Sequence, residues 1–304
     1  MITYNPKDWF TFIFRIHKTE TFRQLIPLML AVAAYSGIVA YVELHNFLTT
    51  DVRELTRAIS TIYSILGFTL SLLLVFRTNS AYDRWWEARK LWGELTNSSR
   101  ALSAHFHAIL SAEDHIERKT LATLLSVFSY SLQAHLKEER LDESYFQQEF
   151  DGQSSADYPR RFAAATHQPV EIYRTLMSFV QQLRLSGKLN AQEIYHFKSE
   201  LNKLIDVCGG CERIKRTPIP FSYSVFIKKF IFFYVMLFPL IYCVQMWYFI
   251  VPVTVFVLYV LASLELIAEE IEDPFNGEPN DLPTHEMALN IGKNVHHILT
   301  SPTH

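Results

Sequence analysis

The stretch 58–93, AISTIYSILGFTLSLLLVFRTNSAYDRWWEARKLWG, decides how the rest of the chain is read. Its first half, residues 58–76, is apolar and carries no charge. Its second half turns abruptly to Arg77, Asp83, Arg84, Glu87, Arg89 and Lys90, with Trp85, Trp86 and Trp92 between them. A helix crosses a bilayer with about 20 apolar residues, so the first half is just long enough. Yet hydroxyls stud it at Ser60, Thr61, Tyr63, Ser64, Thr69 and Ser71. A helix apolar enough to insert but polar along part of its girth faces protein or water on that side, not lipid.

Further runs of the same kind lie at 25–42 and 230–267, while the middle of the chain is ordinary water-facing sequence. The 49% hydrophobic content of these 304 residues is therefore unevenly spread, which marks a multi-span membrane protein with a large polar portion. A net charge of −3 gives no electrostatic footprint for nucleic acid. Three cysteines, Cys208, Cys211 and Cys243, are too few for a disulfide framework and suit a reducing compartment. The first 20 residues mix Trp9, Phe10, Phe12 and Phe14 with Lys7, Arg15 and Lys18, and no small-residue cleavage site follows.

In chain order, 9–23 is a basic-aromatic segment that suits either a membrane surface or the protein's own cytosolic body. Spans are expected at about 25–43, 58–76, 228–245 and 250–268, with Pro27 at the start of the first, where a missing N–H costs least. A mixed-charge loop is expected at 43–57. Residues 77–222 form a helical cytosolic region and 269–304 an acidic C-terminal segment, all within one unit. In the cytosolic region, helical periodicity predicts helices over 81–110, 115–139, 169–185 and 190–208, with a loop over 142–158. Gly187 is placed to end the third of these helices, and Asn190 with Glu193 to cap the fourth. The run 230–267 exceeds one span and holds Pro239, Gln245 and Pro252, so it divides near 245–251 into a tight hairpin.

Four spans put both termini on one side, and Lys and Arg choose which. Arg15, Lys18 and Arg23 precede the first span, Arg77, Arg84, Arg89 and Lys90 follow the second, and Lys215, Arg216, Lys228 and Lys229 precede the third. The opposite loops offer only Arg53 and Arg57. The prediction is an all-α membrane protein with four transmembrane helices and both termini cytoplasmic.

Three blocks, FRTNSAYDRWWEARKLWG (76–93), GGCERIKRTPIPFSYS (209–224) and AEEIEDPFNGEPNDLP (268–283), resemble the bestrophin family, its bacterial members most closely. They fall in family order at family spacing, and the resemblance covers nearly the whole chain. It implies a homopentameric ion channel, five copies of the second span lining one axial pore in membrane lipid. The permeating species are small monovalent anions such as chloride, with a sodium or potassium channel of the same fold as the alternative. No enzyme activity and no required cofactor follow. Family pores narrow at a hydrophobic neck of three apolar residues one turn apart, which counting back from the end of the span assigns to Phe68, Leu72 and Phe76. That i, i+4, i+8 spacing puts them on one helix face, and rings of apolar side chains gate by dewetting. An apolar neck carries no charge to choose ion sign, so that choice falls to the flanking rings, whose cytosolic candidates include both acids and Arg77.

A second constriction, the cytosolic aperture, maps to Gln192, or to Ile194 if the alignment slips. The family there commonly has an apolar residue. The acidic block corresponds to the calcium clasp of animal members, with candidate ligands Glu270, Asp273, Glu278 and Asp281. It departs from their run of aspartates, and calcium needs six to eight oxygens, so a solvated, salt-bridged end is the competing reading. Three other patterns carry less. Cys208-Gly-Gly-Cys211 has redox or zinc spacing but stands alone and is read as packing. Glu193-Ile-Tyr-His196 has di-metal spacing without a second copy. A carrier or membrane enzyme, the third reading, predicts polar or ionisable residues at mid-membrane and discontinuous spans in paired halves; Gln245 is the nearest such residue, and the division of 230–267 puts it at a loop.

Overall fold

A computed structural model describes residues 20–45, 50–111, 113–151 and 157–301, and among them every regular element is helical. In order these are α1 (Glu20–His45), α2 (Thr50–Ile109), α3 (His115–Leu136), α4 (Glu143–Glu149), α5 (Tyr158–Ala164), α6 (Gln168–Leu185), α7 (Ala191–Arg216), α8 (Phe221–Met246), α9 (Ile250–Glu272) and α10 (Thr284–Thr300), with a 3-10 turn at Trp247–Phe249. The basic-aromatic segment at 9–23 lies almost wholly outside the described residues.

By contacts the chain divides into two compact units. Among the described residues the apolar unit holds those up to Asp83 together with Pro218–Glu272, and the polar unit holds Arg84–Thr217 together with those from Asp273. The long α2 contributes to both, because nothing between Thr50 and Ile109 breaks it: there is no proline, and its two glycines sit in mid-helix.

In the apolar unit, α1, α8 and α9 pack on one another. Val32, Leu70, Leu74, Ile227, Ile231, Val235 and Leu258 form its centre. Three stretches are long and apolar enough to cross a membrane, Phe22–His45, Ile59–Ile109 and Phe221–Glu272. The last is folded back on itself: the backbone reverses at Trp247, at φ 53°, so that α8 and α9 are the two arms of the expected hairpin. Gln245 stands one residue before the end of α8. Pro27 is not at a helix start. It lies two turns inside α1, where it withholds a hydrogen bond from the carbonyl four residues back. Of the stretch 43–57 expected as a loop, 43–45 belong to α1 and 50–57 to α2, and 46–49 lie outside the described residues.

In the polar unit, α3 is the central element, packed against α10 and α6. The predicted apolar stripe Leu121, Leu124, Leu125, Phe128 and Leu132 is wholly buried. The Ser and Thr residues between them are buried as well. Helix α6 ends as expected: Gly187 takes φ +76°, a left-handed cap that costs glycine little. Helix α7 opens with the predicted capping box, Asn190 Oδ1 accepting from Glu193 N and Glu193 Oε2 from Asn190 N. It continues past Cys208 to Arg216. The expected loop at 142–158 contains the short α4, capped by Asp142.

Candidate functional site

Within the apolar unit α2 has two opposed faces. Tyr63, Leu70, Leu74, Arg77 and Ala81 are buried, and at ~100° per residue they cluster within about 60° of one direction. Phe68, Leu72 and Phe76 lie on the far side of the helix, about 170° from the centre of that stripe. They are 72%, 44% and 55% exposed in the single chain. All three are large apolar side chains that the subunit's own core leaves uncovered.

Three of this span's hydroxyls are satisfied within their own helix. Ser64, Thr69 and Ser71 each donate to the backbone carbonyl four residues earlier, Ser60 O, Ile65 O and Gly67 O at 2.8, 3.0 and 2.9 Å. Back-bonding of this kind satisfies the O–H inside the helix, so a polar sequence presents a surface that needs no water. Tyr63 differs: it donates to Tyr234 O at 2.8 Å and stacks on the Tyr234 ring. Gly67 permits that approach, since a Cβ at this position would run into the Tyr234 hydroxyl.

Arg77, expected among the flanking charges that choose ion sign, is 1% exposed. Its Nη2 lies 2.7 Å from Glu272 Oε2 and its Nε 3.5 Å from Glu265 Oε1. Glu272 also accepts from Ile219 N at 2.6 Å. A guanidinium enclosed by carboxylates of its own chain fastens α2 to α9.

Of the two aperture candidates, Ile194 is buried in the polar unit's core while Gln192 is exposed on the first turn of α7. Gln192 borders a cleft of about 390 Å³ with His105, Ile109, Glu193, His196 and Phe197. Glu193 is committed to the cap, and His196 Nε2 faces His105 Nδ1 at 3.1 Å, so the Glu-x-x-His spacing here serves helix capping.

The acidic block is divided between the units. Glu270 belongs to the apolar unit, and Asp273, Glu278 and Asp281 to the polar one. Lys215 Nζ bonds Asp273 Oδ2 at 2.9 Å and Asn276 Oδ1 at 2.6 Å. Asp281 is buried; its Oδ2 accepts from Gly277 N and Glu278 N at 2.7 and 3.0 Å, and its Oδ1 has no hydrogen-bond partner. Burial outweighs those two backbone bonds and pushes the Asp281 carboxyl up to about 6.

Cys208 and Cys211 are buried and unpaired. Burial, with Glu212 nearby, pushes the Cys208 thiol up to about 12 and raises Cys211 too. Such thiols pack and do not attack, as the isolated pair suggested. One cluster escaped the sequence reading. His135, His167 and Glu212 converge from three parts of the polar unit, and only Glu212 belongs to a recognisable block.

Comparison with known proteins agrees with the geometry. A family model described as bacterial/fungal bestrophin protein matches residues 1–297. A voltage-dependent anion channel-forming protein of Ralstonia nicotianae is 32% identical over 284 residues, 92% of this chain and 89% of that one. The voltage-dependent anion channel-forming protein YneE of Salmonella typhimurium is 32% identical over 225 residues, 73% of this chain and 70% of its own length. Among solved structures, a mutant bacterial bestrophin homologue from Klebsiella pneumoniae has a TM-score of 0.79 at 28% identity, covering 91% of this chain and 99% of that one. The protein is a membrane protein, and it belongs to the bacterial and fungal bestrophin family.

Proposed function

We propose that the chain forms a passive channel for small monovalent anions such as chloride, five copies surrounding one axial pore in a bacterial inner membrane. The observation that carries this is the division of α2 into two faces. One face is packed into its own subunit through Leu70, Leu74 and Arg77; the other offers Phe68, Leu72 and Phe76, exposed and on one line. Five such helices brought together around an axis stack three apolar rings, one helical turn apart. An apolar ring holds water poorly and so restricts ions without binding them. The designation of these relatives as voltage-dependent anion channel-forming proteins supports the sign of the ion.

Both termini face the cytoplasm in this reading, because Lys and Arg precede the first span, follow the second and precede the third. Gln192, exposed at the start of α7, lines the cytosolic exit with amides. An amide ring is wetted where an apolar one is not, so the neck is the narrower barrier to ions. The test is chloride efflux from proteoliposomes under a chloride gradient. The proposal predicts downhill efflux without any energy source; tight liposomes at every protein density would overturn it.

A further inference from the structure

The polar unit carries a three-ligand cluster that ion conduction does not use. His135 stands in the last turn of α3, His167 immediately precedes α6, and Glu212 lies in the last turns of α7. Both imidazoles meet one carboxylate oxygen. His135 Nε2 lies 2.7 Å and His167 Nε2 2.6 Å from Glu212 Oε1, and the two rings are tilted against each other at 4.3 Å between centroids. All three side chains are between one-fifth and one-third exposed, so solvent reaches a site whose walls are already formed. Among the described residues this is the group of three metal-ligating side chains whose donor atoms approach closely enough to share an ion.

We propose that His135, His167 and Glu212 bind one divalent transition-metal ion of the zinc class, with water completing the coordination. Two imidazole nitrogens and one carboxylate oxygen match that class. Calcium and magnesium prefer all-oxygen shells, and a softer ion would call for thiolates. A tetrahedral ion with bonds of about 2.0–2.1 Å holds its ligand atoms about 3.3 Å apart. The two nitrogens must therefore open from the shared oxygen by somewhat over half an ångström, a side-chain adjustment that needs no movement of the helices.

The hydrogen bonding defines what loading displaces. Val170 N donates to His167 Nδ1 at 3.3 Å, so in the metal-free protein neutral His167 carries its proton on Nε2 and donates it to Glu212. On binding, Nε2 gives its lone pair to the metal and the ring proton moves to Nδ1, which ends the long bond from Val170. Cys208 Sγ lies 3.9 Å from Glu212 Oε1 and is a neighbour of the site, not one of the three ligands. A bound ion would tie α3, the start of α6 and α7 together, independently of whether the pore passes anions.

The test uses the full-length protein in detergent, stripped with a chelator and titrated with zinc chloride by calorimetry, in parallel with calcium chloride. One zinc per chain is expected. His135→Gln, His167→Gln and Glu212→Gln should each weaken binding at least tenfold, whereas Cys208→Ser should retain it. The melting temperature should rise with zinc in the unaltered protein and not in the three variants. Size-exclusion elution at the oligomer's volume identifies the variants that remain folded, and cobalt in the unaltered protein reports a low-symmetry four- or five-coordinate spectrum without thiolate charge transfer. No uptake by the unaltered protein, equal affinity in folded variants, or calcium bound in preference to zinc would overturn the proposal. Loss of binding in Cys208→Ser would overturn the three-ligand assignment.

Discussion

Arg77 and Glu272 form a buried ion pair, Nη2 to Oε2 at 2.7 Å, that joins the end of the candidate pore segment in α2 to the end of α9. The carboxylate has a second commitment, Ile219 N at 2.6 Å, so one side chain fixes α2, α9 and the entry to α8. Removing one partner of an enclosed pair costs about 3–5 kcal/mol, because the other charge is left unsolvated. Arg77→Gln should therefore lower the midpoint of thermal unfolding steeply. In whatever channels still assemble, the reversal potential should be unchanged, because the lost charge never faced the ions. A shifted reversal potential would place Arg77 in the permeation path.

Phe68, Leu72 and Phe76 together set the apolar barrier in this account. Their joint replacement by alanine widens and wets all three rings, and chloride efflux from liposomes should rise several-fold. Since the three are exposed in the single chain, their truncation opens no cavity in the subunit's own core, and folding should survive. Unchanged efflux would remove these residues from the neck.

Gly67 is held small by Tyr234. Gly67→Ala drives a methyl into the Tyr234 hydroxyl, and overpacking of this kind costs about 1–3 kcal/mol. Tyr234→Phe removes the nearest atom, so the double variant should recover much of the stability lost in Gly67→Ala. Equal losses in the single and double variants would show that the two positions are not coupled.

Gln192→Ile replaces an amide ring with an apolar one at the proposed exit. It should slow chloride efflux, most visibly in a background whose neck has been opened with alanine. No change in either background would take Gln192 out of the path.

Asp281 gives the polar unit a pH dependence of definite sign. Its carboxyl is raised to about 6 by burial, while the unfolded chain returns it to about 3.9. Between those values the folded protein holds the extra proton, so this residue stabilises at low pH and its contribution falls as pH rises from about 4 to about 6. The span of about two pK units corresponds to about 3 kcal/mol at most. Asp281→Asn keeps an acceptor for Gly277 N and Glu278 N and should flatten this part of the stability profile. An unaltered profile would contradict the assignment.

Local signals made much of the fold legible. The charge-free run at 58–76, the two-armed length of 230–267 and the Asn190–Glu193 box each act over a few residues, and each is found where periodicity and capping put it. That Phe68, Leu72 and Phe76 share one face of α2 was legible too, because i, i+4 spacing is a property of the helix alone. What escaped depends on partners distant in sequence. Arg77 reads as an available charge until Glu265 and Glu272 close over it. Ser64, Thr69 and Ser71 read as a polar face until back-bonding to their own helix accounts for them. Pro27 reads as a helix start because the turns before it are rich in aromatic and charged residues, although α1 begins at Glu20. His135, His167 and Glu212 follow no motif spacing and meet only through packing of α3, α6 and α7.

The central claim is that this chain passes anions through an open-ended pore, and reversal potential in a planar bilayer under a potassium chloride gradient tests it most directly. The account predicts single-channel or macroscopic current reversing near the chloride equilibrium potential. Reversal near the potassium equilibrium potential, or no current from correctly assembled oligomer, would contradict it.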